Sequence, residues 1–210
     1  EPGGGHIGRA RVDSVACEGC GACTHVCPTG AISMEEVVTG EWFVSESRAG
    51  TLVHAALGAG QEASGKLVTL VRSRAGAMAK REERDLVLVD GPPGIGCPVI
   101  ASLTGATLAL IVAEPSVAGL HDLERVVQLA GKLGVPVVAA INKWDVSPGT
   151  SARIEELCTR LSVPMIGRVP YDDDVTAAQV SGVAVVDYSN GAASTAVRNL
   201  WGSVLKELEH

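Results

Sequence analysis

From Ser64 onward the apolar residues recur at helical spacing. Leu67, Val68, Val71, Ala75, Met78 and Ala79 fall three or four positions apart, so they form one stripe of an amphipathic helix that Ser64 caps and that ends near Glu83. The pattern then changes to short continuous apolar runs: residues 86–89 lead into Asp90, 108–113 into Glu114, 135–141 into Asn142 and 165–169 into Pro170. Runs of this length read as strands buried on both faces. Helical stripes lie between or after them: Leu120, Leu123, Val126, Val127, Ala130 and Leu133 before Gly134, then Ile154, Leu157, Cys158 and Leu161, and last Val197, Leu200, Trp201, Val204 and Leu205. Strand and helix alternating in this way predict right-handed crossovers and an α/β fold built on a doubly wound, mostly parallel sheet. Asp90, Glu114, Asn142 and Pro170 would then gather beyond the carboxyl ends of the strands, where such sheets bind ligands.

The N-terminal part lacks this regularity. Residues 1–11 are glycine-rich and read as loop, residues 42–46 and 51–57 as short strands of mixed pattern, and residues 58–64 as a further loop. Composition agrees with the α/β reading: 210 residues at 46% hydrophobic suffice for one such domain plus a small module, and with only 3% aromatics the interior must be Val, Leu, Ile and Ala. A net charge of -7 without a basic cluster argues against nucleic acid, whose binding rests on phosphate neutralisation. The longest apolar runs, such as 106–113, are far short of the ~20 residues a membrane span needs, and no signal-peptide pattern opens the chain. These features predict a cytoplasmic protein. Glu1 is not an initiator methionine, and Leu208-Glu209-His210 reads as an expression-tag remnant.

The chemistry concentrates first in Cys17-x-x-Cys20-x-x-Cys23-x-x-x-Cys27-Pro28, the spacing of the bacterial ferredoxin run that ligates iron-sulfur clusters. Gly19 and Gly21 sit between the first three cysteines, where positive φ lets backbone N–H groups turn toward sulfur. Zinc sites usually separate two Cys-x-x-Cys pairs by a dozen or more residues, and a disulfide framework of four cysteines within eleven residues would be strained. A 4Fe-4S cluster on Cys17, Cys20, Cys23 and Cys27 is the stronger expectation. Either Cys27 closes that cluster, or it serves a second one whose other ligands lie elsewhere.

Two further motifs follow strands. Asp90-Gly91-Pro92-Pro93-Gly94 has Walker B character: an aspartate at a strand end can hold magnesium through water, and Gly94 would let backbone N–H approach a terminal phosphate. The alternative is a helix-capping Asp. Asn142-Lys143-Trp144-Asp145 matches the guanine-reading Asn-Lys-x-Asp pattern, against a plain loop capped by Asp145 or Ser147. Gly60-x-x-x-x-Gly65-Lys66 mimics a phosphate loop but ends in Leu67, which offers no hydroxyl to magnesium, so a helix start is preferred. Cys158 falls on an apolar stripe and reads as core. Cys97 reads as a loop thiol near the presumed phosphate region, and His121 with Asp122 as a helix start.

In order along the chain, the cysteine run, Val89-Asp90-Gly91-Pro92-Pro93-Gly94, Glu114-Pro115, Gly119-Leu120-His121-Asp122-Leu123 and Asn142-Lys143 resemble MinD/Mrp-type P-loop ATPases that carry an inserted ferredoxin module. The resemblance implies a P-loop NTPase-like domain over residues 41–207 and a ferredoxin-like module over 1–40, with 208–210 the tag remnant. By the same resemblance the cofactors are a 4Fe-4S cluster, ATP and Mg. Asp90 is then the Walker B and catalytic residue, Gly94 the γ-phosphate sensor, Asn142 with Lys143 the adenine reader, and Pro170 a neighbour of the base. It further implies a homodimer, a redox or iron-sulfur client protein, and an ATPase cycle coupled to electron transfer or cluster assembly. Family members begin with a strand and a Lys-Gly-Gly-x-Gly-Lys-Thr loop and usually carry two cysteine runs. This chain holds neither the loop nor a second run, so these elements are expected upstream of Glu1, and the chain alone is expected to hydrolyse ATP negligibly. The alternatives are an iron-sulfur carrier or scaffold without nucleotide hydrolysis and, favoured only by residues 142–145, a GTPase.

Overall fold

The computed structural model describes residues 12–13, 17, 19–38, 40–58 and 63–209, so the loop read at 1–11, residues 60–62 of the loop mimic and His210 lie outside the described residues. The chain divides into two compact units, Glu1–Leu88 and Val89–His210.

The first unit contains helix α1 (Ala22–Val26), strands β1 (Gly40–Ser47) and β2 (Gly50–Leu57), and helix α2 (Gly65–Arg81). Both strands form where the sequence placed them. They pair antiparallel from Gly40↔Leu57 to Ser47↔Gly50 across a tight turn, in which Gly50 adopts φ 127° and the Ser47 hydroxyl donates to the Gly50 carbonyl at 2.7 Å. The Ser64 side chain accepts the Leu67 N–H, which caps α2 as expected. Helix and hairpin are joined by polar contacts: Thr51 Oγ1 donates to Glu82 at 2.8 Å, and the Arg74 guanidinium lies 5.0 Å from the Trp42 ring centroid. No described residue of this unit is fully buried.

The second unit contains α3 (Cys97–Leu103), β3 (Ala109–Ala113), α4 (Val117–Lys132), β4 (Val137–Asn142), α5 (Pro148–Arg160), β5 (Met165–Val169), α6 (Asp173–Val180), α7 (Val185–Tyr188) and α8 (Ala192–Leu208). Its sheet is parallel, in the order β3-β4-β5. The central strand is sealed on both faces, with Ala139, Ala140 and Ile141 at 0% exposure. Ala139 and Ile141 pack with Leu123 of α4 and with Ile154, Leu157 and Cys158 of α5. A register shift pairs Ala139 with Met165 but Ala140 with Gly167, and Gly167 is where Leu200 of α8 closes on β5. Alternate residues point to opposite faces, so α8 covers the side away from α4 and α5, and the sheet is doubly wound. Among the described residues no helix is long and apolar enough to cross a membrane.

Three sequence expectations need correction. Residues 86–89 do not form a strand, and Leu86, Val87, Leu88 and Val89 remain 38–79% exposed. An apolar run becomes a strand only when a neighbouring edge supplies hydrogen bonds, and no described strand pairs with it. Cys97 is not in a loop but opens α3, because Gly96 and Pro98 fit a helix start. His121 and Asp122 sit one turn into α4, whose cap is Ser116, accepting the Gly119 N–H at 2.9 Å. Helices α6 and α7 escaped the sequence reading because they are short and carry no stripe long enough to register.

Asp172 ties two of these helices together: one carboxylate oxygen accepts the Asp174 N–H at the start of α6 and the other the Ala193 N–H at the start of α8, each at 3.0 Å. The Ala193 and Asp174 N–H groups hold its pKa below the ordinary 3.8. This contribution is complete above pH ~3.8 and fades as pH falls through the depressed folded value. Asp172→Asn should therefore lower the melting temperature at pH 7, and the gap to wild type should narrow on acidification; a gap unchanged between pH 7 and pH 3 in circular-dichroism melts would refute the clip. At Gly167 an added Cβ would lie 2.7 Å from Leu200 Cδ1, a movable tip, and 3.3 Å from Leu200 Cβ. Gly167→Ala should cost little, whereas Gly167→Val should cost about 1–3 kcal/mol by overpacking, measured by urea unfolding.

Candidate functional site

In the first unit the cysteine run wraps the short helix α1. Gly19, Gly21 and Gly30 adopt φ 64°, 73° and 62°, which turns the backbone at each end of the run. Thr24 locks the entry to α1 by donating its hydroxyl to the Gly21 carbonyl at 2.7 Å. Cys23 lies within α1 and Cys27 is its C-cap. The Cys27 sulfur sits 3.5 Å from the Thr29 hydroxyl and accepts the Ala31 N–H at 3.3 Å. These bonds, the Thr29 hydroxyl first, lower its pKa from 9.0 to about 7, so the thiolate that binds metal is accessible near neutrality. Cys17, Cys20 and Cys23 are exposed.

Among the described residues no three His, Cys, Asp or Glu side chains already converge on a point that would hold a metal ion. The donor set nonetheless fits an iron-sulfur cluster in kind: four thiols, positive-φ glycines between them, and an N–H···S bond of the type that tunes cluster sulfurs. In small metal modules ligation and folding are coupled, so gathering of the sulfurs accompanies binding. Thr29 and Ala31 are the residues sequence reasoning missed here; the signal was the hydroxyl two positions after a ligand cysteine.

In the second unit the parallel sheet brings three strand ends to one side: Glu114 follows β3, Asn142 ends β4 and Pro170 follows β5. Lys143, at φ 53°, donates from Nζ to Glu114 Oε1 at 2.8 Å, and that carboxylate raises its pKa. Glu114 is itself held by a close approach: a Cβ on Gly119 would lie 2.3 Å from the Glu114 carbonyl oxygen, so only glycine fits at that point of α4. On the other flank the Trp144 N–H donates to the Val169 carbonyl at 3.2 Å, and Asp145 Oδ1 accepts the Tyr171 N–H at 2.7 Å. Residues 142–145 are thus sewn to both neighbouring strand ends. The sequence picked out Asn142, Lys143 and Pro170 but missed Tyr171 and the pairing of Lys143 with Glu114, because contacts across 26 or 29 residues leave no local pattern.

Asp90 is exposed and makes no ion pair among the described residues, and Gly94 adopts φ 87°, a conformation that leaves its backbone unshielded by a side chain. No hydrogen bond or ion pair joins either to the Glu114–Lys143 cluster among the described residues. Cys158 is 2% exposed and its pKa is pushed up, first by burial, as befits a core thiol.

Residues 10–33 match the 4Fe-4S binding domain family. An uncharacterised protein of Methanocaldococcus jannaschii is 27% identical over 93% of this chain and 65% of its own length. The iron-sulfur cluster carrier protein of Pyrococcus horikoshii is 26% identical over 69% of this chain and 53% of its own. The chain therefore spans less than two thirds of the length of these relatives. Among solved structures, the septum site-determining protein MinD of Pyrococcus horikoshii, complexed with Mg-ADP, superposes with a TM-score of 0.56 at 19% identity, over 68% of this chain and 57% of that one. With a 4Fe-4S family match at its cysteines, a MinD-like fold in its sheet and an iron-sulfur cluster carrier among its relatives, this chain is similar to MinD/Mrp-type P-loop ATPases that carry a ferredoxin module.

Proposed function

We propose that the protein to which this chain belongs binds magnesium-ATP beyond the carboxyl ends of its parallel strands and couples the nucleotide cycle to electron transfer or cluster delivery by a 4Fe-4S centre. The observation that carries the reading is the presence, in one chain, of a four-cysteine cluster motif and of a strand-end group in which Asn142, Lys143 and Pro170 are held in register by β3, β4 and β5. Cys17, Cys20, Cys23 and Cys27 hold the cluster, which supplies one-electron chemistry when bound. Asp90 holds magnesium and takes the catalytic Walker B role, Gly94 senses the terminal phosphate with its backbone, and Asn142 reads the base beside Pro170. The relative described as an iron-sulfur cluster carrier and the MinD neighbour holding Mg-ADP support the two halves separately. Residues 1–40 are assigned to the ferredoxin-like module and 41–207 to the ATPase-like domain. The working form is a cytoplasmic homodimer that meets a redox or iron-sulfur client protein.

Anaerobic reconstitution with iron and sulfide should load about four irons per chain, and the double variant Cys20→Ser/Cys23→Ser should lose most of that iron together with the visible cluster absorbance. Zinc at one atom per chain, or no metal, overturns the assignment. For the nucleotide half, a fluorescent ATP analogue titrated into the full-length protein should bind with magnesium, and Asn142→Ala should weaken it by about three- to tenfold through loss of a hydrogen bond. Full cluster loading with no ATP binding would favour the alternative, an iron-sulfur carrier whose α/β part is a docking scaffold.

A further inference from the structure

Asn142-Lys143-Trp144-Asp145 has the form of a guanine-reading motif, in which the carboxylate must offer both oxygens outward to accept the two ring-edge donors of guanine. Asp145 is exposed, and one of its two oxygens is engaged by the chain itself. Its Oδ1 accepts the Tyr171 N–H at 2.7 Å, a short charge-assisted bond across to the far end of β5. One residue earlier, the Trp144 N–H donates to the Val169 carbonyl at 3.2 Å. These two bonds grip the backbone on either side of Pro170, which has no N–H of its own to anchor it. The loop that grips is rigid in turn: the buried Ser151 hydroxyl donates to the Trp144 carbonyl, the Val146 N–H to the Lys143 carbonyl at 3.1 Å, and Lys143 reaches Glu114 on the other side.

We propose that Asp145 is a positioning residue that fixes Pro170 and Tyr171 beside the base-reading loop. The inference rests on the nucleotide reading above and deepens it: the Asp145 carboxylate holds the backbone that follows β5 against the loop that follows β4.

The test uses the full-length protein, with Asp145→Asn, which keeps an oxygen able to accept the Tyr171 N–H, and Asp145→Ala, which does not. Fluorescent analogues of ATP, GTP and XTP are titrated into each, and amide hydrogen exchange is followed across residues 165–175 in nucleotide-free protein. The strut acts on nucleotide binding only through the position of residues 170–171. It predicts ATP binding by Asp145→Asn within about threefold of wild type with no gain for XTP, and at least about tenfold weaker ATP binding in Asp145→Ala. Exchange at Tyr171 should accelerate in Asp145→Ala and stay near wild type in Asp145→Asn. A shift from GTP to XTP preference in Asp145→Asn, the signature of a carboxylate that had faced guanine, overturns the proposal; so does unchanged Tyr171 exchange in Asp145→Ala. If no form binds any nucleotide, the nucleotide reading fails, and the exchange data alone decide whether Asp145 is the strut.

Discussion

Strand β4 is hydrogen-bonded along both edges and buried on both faces, and the geometry of the second unit follows from that. A strand in this position tolerates only apolar side chains, each contributing roughly 1.5–3 kcal/mol when a residue the size of Val or Ile is fully removed from water, and it must pass its backbone bonds to neighbours in a single register. Because β3 and β5 run parallel to it, their carboxyl ends finish on the same side, so the polar residues that end each run are brought together without any local signal between them. Glu114, Asn142 and Pro170 are neighbours for this reason.

The loop after β4 ties these strand ends together. Lys143 takes up a left-handed conformation that costs a non-glycine residue energy, and its side chain is held by Glu114, whose own carbonyl is backed by Gly119. On the opposite flank, Trp144 and Asp145 hold the end of β5. Three separate loops would ordinarily be soft, since loops move more than the elements they join; here backbone and ion-pair contacts bind them into one layer.

The first unit rests on a different principle. Its hairpin leaves Trp42, Phe43, Val44 and Leu52 39–51% exposed, and its helix is tied to it by the Thr51–Glu82 hydrogen bonds and the stacking of Arg74 on Trp42. None of its described residues is fully buried, and metal ligation is one of the ways a small module gains stability. The polarised environment of Cys27, with the Thr29 hydroxyl and the Ala31 amide directed at sulfur, suits a ligand that works as a thiolate.

Spacing along the chain determined a great deal. The intervals between Cys17, Cys20, Cys23 and Cys27 pointed to cluster chemistry, because they are those of a 4Fe-4S binding run; the stripes of α2, α4, α5 and α8 and the apolar runs of β3, β4 and β5 specified the α/β class, because burial on one or both faces imposes a period. What the sequence could not decide were matters of partnership. Residues 86–89 have the composition of a strand yet form none, since a strand exists only against a neighbour. Asp145 stands where an Asn-Lys-x-Asp motif has its carboxylate, yet one of its oxygens accepts the Tyr171 amide 26 positions away. Period and spacing are local and are written in the chain, whereas hydrogen-bond partners across a sheet are chosen only when distant segments meet, and that choice belongs to the tertiary structure.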